Sequence, residues 1–392
     1  MRKVAVIGVG HTVFSRASEK TSLELFTEAA MEAISESNLK PKDIQSLHMG
    51  NVYGDFEEGQ TMIQAFAADS IGAFNIPVMR YENVCCSASV AARDAFMWVA
   101  SGFYDIVLVG GVEKAGSMGT ELATRTFAMG SDSRYEYPCG ITFPAFFGLL
   151  THLYSTKYGI PLAKLKEQMA ITSVQSHHYG MFNPRAHFHK EITVEMALNS
   201  FTVCSPLQLY DCCPLSDGAA AVILTSEEVA KKLTSKPVYI TGVGLASQGL
   251  LANQEEILPR IKAREISAKQ AYDMAGVTPE DIDICELHDC FSIASLIDAE
   301  GLGFFEFGTA GEAWEKGEAA IGGKVAINPS GGLKAKGHPI GATGTAQVYE
   351  VVKQLRGEVE PERRVEGAKI GMTDTAGGDA GSVCNLILQR GW

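Results

Sequence analysis

Two short passages of this chain occur twice, in the same order, and that duplication constrains the fold more than any other feature. "VIGVG" at 6–10 returns as "ITGVG" at 240–244, and "LKPKDIQSLHMGNV" at 39–52 returns as "VTPEDIDICELHDC" at 277–290. More loosely, "SDGAAAVIL", ending at Leu224, is answered by "GDAGSVCNLIL", ending at Leu388. A preserved order of echoes argues for two similar halves. The offsets, 234, 238 and 164 residues, disagree, so the copies carry different insertions. At 392 residues the chain also exceeds what one hydrophobic core usually supports.

Short apolar runs alternate with helix-patterned segments. "VAVIGVG", "DIVLVGG", "AAAVILTS", "VYITGVG", "KVAINPSGG" and "SVCNLILQR" read as buried strands, while "SLELFTEAAMEAISESNL" and "SASVAARDAFMWVASGF" carry apolar residues at helical spacing. The alternation predicts an α/β protein, with helices packed on a mostly parallel or mixed sheet. The stretch 119–203, rich in aromatics, His and Met, reads as an excursion from the first half that covers a binding site. The division expected is 1–118 with 204–235 as the N-terminal half, 119–203 as an inserted loop domain, and 236–392 as the C-terminal half.

A formal charge of -13 argues against a nucleic-acid or anionic-membrane surface. No apolar run reaches the 18 or so residues that span a bilayer, and the start "MRKVAVIGVG" has no leader pattern, so a cytoplasmic location is expected. Nine cysteines without any CxxC read as reduced thiols, mostly small buried hydrophobes. His177, His178, His187 and His189 mimic a metal cluster, but no thiol or carboxylate completes a set at ligand spacing, and a polar helix end and loop is the simpler account. "GVGHTV" lacks the third glycine of a dinucleotide fingerprint, and neither GxxxxGK[ST] nor GxSxG occurs.

Candidate chemistry concentrates in three segments. In "NVCCSASVAARDAF" a cysteine sits where an extended piece opens a helix, a place that favours a thiolate and acyl transfer. "NPSGGLKAKGHPIGATG" holds His338 in glycine-rich irregular backbone. In "ELHDCFSIA", 286–294, strand parity would turn His288 and Cys290 to one side and Asp289 to the other. A zinc site at Cys285, His288 and Cys290 is the competing reading, weakened because Cys285 has the wrong parity.

Together these segments resemble the thiolase superfamily. "GGVEKAGSM", "PLSDGAAAVIL" and above all "GGLKAKGHPIGATG" carry the likeness over essentially the whole chain, and "HDCF" is similar to the branch of sterol-carrier-protein-type and archaeal acetoacetyl-CoA thiolases. The resemblance implies a five-layered α-β-α-β-α fold and a loop domain that binds coenzyme A. It implies Cys85 as nucleophile, His338 as base and oxyanion-hole donor, His288 at the oxyanion hole, and a second oxyanion hole from the amides of Cys85 and Gly377. Aligning the family's C-terminal Cys-x-Gly on its glycine places Thr375 at the usual second cysteine. Threonine cannot exchange a proton usefully at neutral pH, so Cys290 is expected as the replacement acid/base, with Cys384 as core.

The activity implied is acetyl-CoA C-acetyltransferase: two acetyl-CoA condense to acetoacetyl-CoA through an acetyl-cysteine, feeding the mevalonate pathway. Coenzyme A thioesters are the substrates, with no metal or tightly bound cofactor. The implied partners are a second copy or more of this chain, 3-hydroxy-3-methylglutaryl-CoA synthase and a small zinc and OB-fold protein. Degradative thiolysis of longer 3-oxoacyl-CoAs is the alternative, and a non-catalytic acyl-CoA or lipid-binding homologue is a weaker one.

Overall fold

The computed structural model describes residues 1–392. Its strands in chain order are β1 (Val4–His11), β2 (Ser46–Gly50), β3 (Val78–Tyr81), β4 (Ile106–Lys114), β5 (Thr202–Cys204), β6 (Leu207–Gln208), β7 (Asp217–Ser226), β8 (Val238–Ala246), β9 (Ile284–Glu286), β10 (Ala326–Ile327), β11 (Ile370–Gly377) and β12 (Ser382–Arg390). Apart from the small β5–β6 ribbon they join in the order β10-β9-β11-β12-β8-β1-β7-β4-β2-β3. The row divides at its middle, where β1 and β8 pair antiparallel over only three residues on each strand.

Each side of that seam has the same plan. β2 runs parallel to β3 and β4, β4 is antiparallel to β7, and β7 to β1. In the other half β9 runs parallel to β10 and β11, β11 is antiparallel to β12, and β12 to β8. The sequence echoes therefore mark equivalent strands: β1 with β8, β2 with β9, and β7 with β12. The unequal offsets follow from the connections. In the first half β4 reaches β7 only after a long excursion, whereas β11 turns directly into β12.

Alternating side chains sort each sheet between two layers. Val4 and Val6 face an inner core shared with the helices Ser87–Ser101 and Thr343–Arg356, while Ala5 and Ile7 face an outer core with the helix Ser22–Glu36. On the other side Leu386 and Leu388 face the inner core and Val383 and Ile387 an outer one beneath the helices Lys262–Ala275 and Ser292–Gly301. The layers run helix, sheet, helix, sheet, helix. The segment after β4 supplies the helices Thr120–Phe127, Phe143–Tyr158 and Leu162–Phe182, and its Phe146, Phe147, Leu150 and Met169 pack into the second half's outer core.

The strand expected over "KVAINPSGG" shrinks to the two residues of β10, because Asn328 takes a left-handed φ of 53° and Pro329 follows. The repeated glycines of "VIGVG" and "ITGVG" have a packing reason. A Cβ on Gly10 would lie 2.0 Å from the Ala29 carbonyl oxygen, and one on Gly244 would lie 1.9 Å from that of Ser267. Each outer helix thus rests directly on strand backbone. Gly244→Ala is expected to destabilise the protein by about 2 kcal/mol or more through overpacking, while Gly249→Ala, where a Cβ meets nothing within 4 Å, leaves the denaturant midpoint nearly unchanged; equal midpoints for the two variants would refute this account.

Candidate active site

Cys85 sits in a tight turn one residue before the cap of the helix Ser87–Ser101. The turn is strained: Val84 has φ 48°, a left-handed conformation that costs a β-branched residue about 1–3 kcal/mol. It is held by Ser87, whose Oγ accepts from the Asn83 amide at 2.9 Å and donates to the Val84 carbonyl at 2.6 Å. Asn83 Nδ2 donates to Ser382 Oγ at 3.0 Å, tying the turn to the second half. Cys85 lines a cavity of about 440 Å³, whereas the neighbouring Cys86 points into the inner core against the Thr375 carbonyl.

His288 and His338 come to the same place. The Cys85 sulfur and one nitrogen of each imidazole lie within 4.8 Å of one another, all three residues buried, and the rings meet edge to face with centroids 5.2 Å apart. The His338 tautomer follows from its neighbour. Thr343 Oγ1 donates its proton to the Pro339 carbonyl, so it accepts from His338 Nδ1–H at 2.6 Å. Nε2 is left as a bare acceptor, and it has no partner.

Electrostatics keep the group neutral. Burial pushes the Cys85 thiol well above its ordinary value, outweighing the amides of Cys85 and Gly378 that favour the thiolate. Desolvation overrides the helix N-terminus here, so the resting thiolate expected from the sequence does not form. Burial lowers His288 to about 3 and His338 well below its ordinary value.

The two histidine segments are stitched together by buried charges. Glu286 pairs with Lys336 at 3.3 Å and accepts from Ser330 Oγ at 2.6 Å; Asp289 faces Lys334 at 3.6 Å and accepts from Ser176 Oγ at 3.2 Å and the Leu333 amide at 2.7 Å. Burial raises Glu286 to about 7 and raises Asp289, while Lys334 is lowered for the same reason. Behind His288 lies a second network, in which Asp374 accepts from the His288 amide at 3.3 Å and from Arg264 Nε at 2.9 Å, and Arg264 also pairs with Asp298. Glu113 secures the loop after His338, accepting from the Gly341, Val52 and Tyr53 amides.

Several sequence expectations shift. β9 ends at Glu286, so His288, Asp289 and Cys290 occupy a loop and not an extended strand; His288 and Cys290 still line the cavity, and Asp289 turns away to its lysine. The C-terminal register moves by one residue. Thr375 is buried, bonded to Gln347 and Ser89, and absent from the cavity wall, where Ala376 stands. The amide facing Cys85 is likewise that of Gly378, not Gly377. Gly377 serves close approach instead: a Cβ there would lie 2.0 Å from the Asn83 carbonyl oxygen. Cys290 is near enough for its ionisation to be opposed by Cys85 and Cys213, but burial, the largest influence, raises its thiol and does not bring it toward neutrality. Cys384 is core, against the Ser89 carbonyl. Cys285 is buried in the second half's outer core rather than grouped with His288. His177, His178, His187 and His189 each bond a separate partner.

Sequence reasoning missed Arg264, Asp374 and Cys213. Arg264 lies in the charged helix Lys262–Ala275, which looks solvated in sequence, and only its fold position buries it. Cys213 lines the cavity beside Cys290.

Matches to known proteins agree with this geometry. The model "Thiolase, N-terminal domain" matches residues 4–228, and "Thiolase C-terminal domain-like" matches 244–390. An acetyl-CoA acetyltransferase of Methanothermobacter thermautotrophicus is 42% identical over 392 residues, covering 100% of both chains, and one of Methanocaldococcus jannaschii is 39% identical, covering 99% of each. A solved "Ltp2-ChsH2(DUF35) aldolase" superposes with a TM-score of 0.85 at 25% identity, over 99% of this chain and 97% of the other. The chain belongs to the thiolase family, and its five layers are the thiolase fold.

The buried thiol makes a direct prediction. With its folded pKa raised above the ordinary value, Cys85 is less ionised than a free thiol at every pH below that value. Its alkylation by iodoacetamide, followed by peptide mapping, should rise about tenfold per pH unit from about pH 7 through about pH 9, with no plateau; a plateau near pH 6.5, the mark of a thiolate–imidazolium pair, would contradict the assignment.

Proposed function

We propose that this protein is an acetyl-CoA C-acetyltransferase that joins two acetyl-CoA molecules into acetoacetyl-CoA and catalyses the reverse thiolysis. The observation that carries the reading is the convergence of Cys85, His288 and His338 within 4.8 Å at an apolar cavity, with His338 Nε2 free to accept a proton. The names of the archaeal relatives support the choice of substrate.

In the first half-reaction the Cys85 proton passes to His338 Nε2 as the sulfur attacks the thioester carbonyl carbon. The C–S bond to coenzyme A breaks, the leaving thiolate takes the proton, and acetyl-Cys85 remains. In the second, Cys290 gives its proton to His338 Nε2 and its thiolate removes a proton from the methyl carbon of another acetyl-CoA, whose enolate oxygen accepts from His288 and from the His338 Nε2–H so formed. That carbon attacks acetyl-Cys85, the new oxyanion is held by the amides of Cys85 and Gly378, and collapse expels the Cys85 thiolate, which takes the proton from His338 Nε2 while Cys290 keeps the one from the methyl carbon. A Cys290 thiol raised by burial gives a thiolate basic enough for a carbon acid. In this reading residues 119–203 form the loop domain that binds coenzyme A, set into an N-terminal half of 1–118 and 204–235 and facing a C-terminal half of 236–392.

A second reading, thiolysis of longer 3-oxoacyl-CoAs, draws support from the cavity, since about 440 Å³ walled by Phe146, Phe147 and Phe291 exceeds what an acetyl group fills. One experiment weighs both. Cys290→Ala should still take label from acetyl-CoA onto Cys85, while thiolysis falls about 10²–10⁴-fold. Run across chain lengths on the unaltered protein, a rate confined to acetoacetyl-CoA supports the biosynthetic reading, and a maximum at long chains reverses it. Near-normal thiolysis by Cys290→Ala, or its loss in Cys384→Ala, would remove Cys290 from the mechanism.

The unfavourable condensation needs product withdrawal, which 3-hydroxy-3-methylglutaryl-CoA synthase and a small zinc and OB-fold protein would supply at the head of the mevalonate pathway; we infer a homodimer or homotetramer working beside them in the cytoplasm. The solved Ltp2-ChsH2(DUF35) aldolase carries a second named component, which supports a partner protein for this chain, and no helix here is long and apolar enough to cross a membrane. The co-expressed set should co-elute in size-exclusion chromatography; separate elution of all components counts against the partnership.

A further inference from the structure

We propose that Cys85, His288 and His338 form a binding site for a soft or borderline divalent cation, Zn²⁺ foremost, and that metal occupancy and acylation of Cys85 exclude one another. The exclusion rests on the acyl-transfer reading above; the metal site does not.

The donor set is one sulfur and two imidazole nitrogens, the ligands that tetrahedral zinc prefers among protein side chains. Their donor atoms already lie within 4.8 Å of one another in a buried pocket. Zn–S near 2.3 Å and Zn–N near 2.0–2.1 Å put tetrahedral donors roughly 3.3–3.7 Å apart, so closure onto a metal needs movements on the order of 1 Å.

Two independent features favour closure. The buried nitrogens His288 Nδ1 and His338 Nε2 have no hydrogen-bond partner, a deficit that metal ligation would relieve at any nitrogen directed to the ion. His338 also has the outer support typical of a ligating histidine, because its Nδ1–H is fixed by Thr343, which leaves the unpartnered Nε2 as its lone-pair nitrogen. The backbone of His288 is anchored through Asp374, and the Cys85 turn is locked by Ser87. The three ligands therefore come from three braced segments. All three ligands line the cavity, which leaves room there for water or an incoming thiol as a fourth ligand.

The exchange balances simply. The Cys85 S–H bond breaks, its proton passes to solvent, and the sulfur's electron pair forms the bond to the metal, which sheds water. The same electron pair forms the bond to the acyl carbon in acylation, so one sulfur cannot serve both. Free cation would thus hold the unacylated protein in a resting state that a chelator reverses, shielding Cys85 from alkylation.

The test titrates the full-length, metal-free protein with Co²⁺, a spectroscopic stand-in for Zn²⁺. The expected result is one equivalent bound, with a near-ultraviolet thiolate-to-cobalt charge-transfer band and intense tetrahedral ligand-field bands, all abolished by stoichiometric Zn²⁺. Cys85→Ser should lose the charge-transfer band, and His288→Ala or His338→Ala should weaken binding at least tenfold. Unaltered protein previously alkylated at Cys85 should bind no cobalt at this site, an arm that needs no variant to fold. Absence of the band from unaltered protein, or its persistence after Cys85 is blocked, overturns the site. If cobalt binds as expected but acetyl-CoA fails to acylate Cys85 of the metal-free protein, the acyl-transfer reading fails and the metal site stands.

Discussion

Two buried ion pairs fix the working geometry of this molecule. Glu286 with Lys336, and Asp289 with Lys334, join the loop that carries His288 to the loop that carries His338. The ladder of β9 stops at Glu286, two residues short of His288, and the stretch before His338 has only the four-residue helix Gly332–Ala335 of its own. Burying such pairs costs several kcal/mol of desolvation per ion, and breaking one partner typically costs about 3–5 kcal/mol, so as stabilisers they are poor value compared with apolar packing. Their contribution here is positional. The acids flank His288 and the lysines precede His338, so sliding either loop by one residue would leave charges buried and unpaired. Gly332 belongs to the same device, since a Cβ there would lie 2.4 Å from Asp289 Oδ2.

The site is assembled across the seam between the halves. The first half supplies Cys85 from a strained turn, and the second supplies both histidines and the β11–β12 turn that carries Gly378. Strain at Val84 persists because the surroundings over-determine it: Ser87 bonds both sides of the turn, Asn83 reaches Ser382, and Gly377 lets the other half's backbone close on the Asn83 carbonyl. Duplication thus provided two similar scaffolds, and divergence at the strand ends provided chemistry.

The sequence showed the architecture well because its evidence was local and repeated. Glycines at 8, 10, 242 and 244 read as an echo, and their packing role is why the echo survives in both halves. Apolar runs located β1, β4, β7 and β12, each buried along most of its length, and β8, whose residues alternate between buried and half-buried. The short strand β9 left little signal of its own, and the run "KVAINPSGG" overstated β10, which is two residues long. At the site, Cys85, His288 and His338 were legible from motif chemistry. The C-terminal turn was not, because its adjacent glycines 377 and 378 offer two registers that only the approach to Cys85 distinguishes. Arg264 and Asp374 were illegible for a different reason: charged residues in an amphipathic helix and a strand give no sign that tertiary packing will bury them against each other.

The same dryness that keeps the thiol protonated explains how a weakly ionised nucleophile can serve. In water, a thiolate would be stabilised before reaction and would lose that stabilisation on attack. Here Cys85 stays neutral beside a neutral His338, and charge separates only as the sulfur bonds to carbon. The amides of Cys85 and Gly378 and the two imidazoles are fixed in place before that moment by the turn, Thr343 and the ion pairs behind them. Fixed dipoles in a low-dielectric cavity act more strongly on developing charge than reorganising water does. On the acyl-transfer reading, burial therefore raises the energy of the resting thiolate and lowers that of the oxyanion by one arrangement, and both differences favour the transition state.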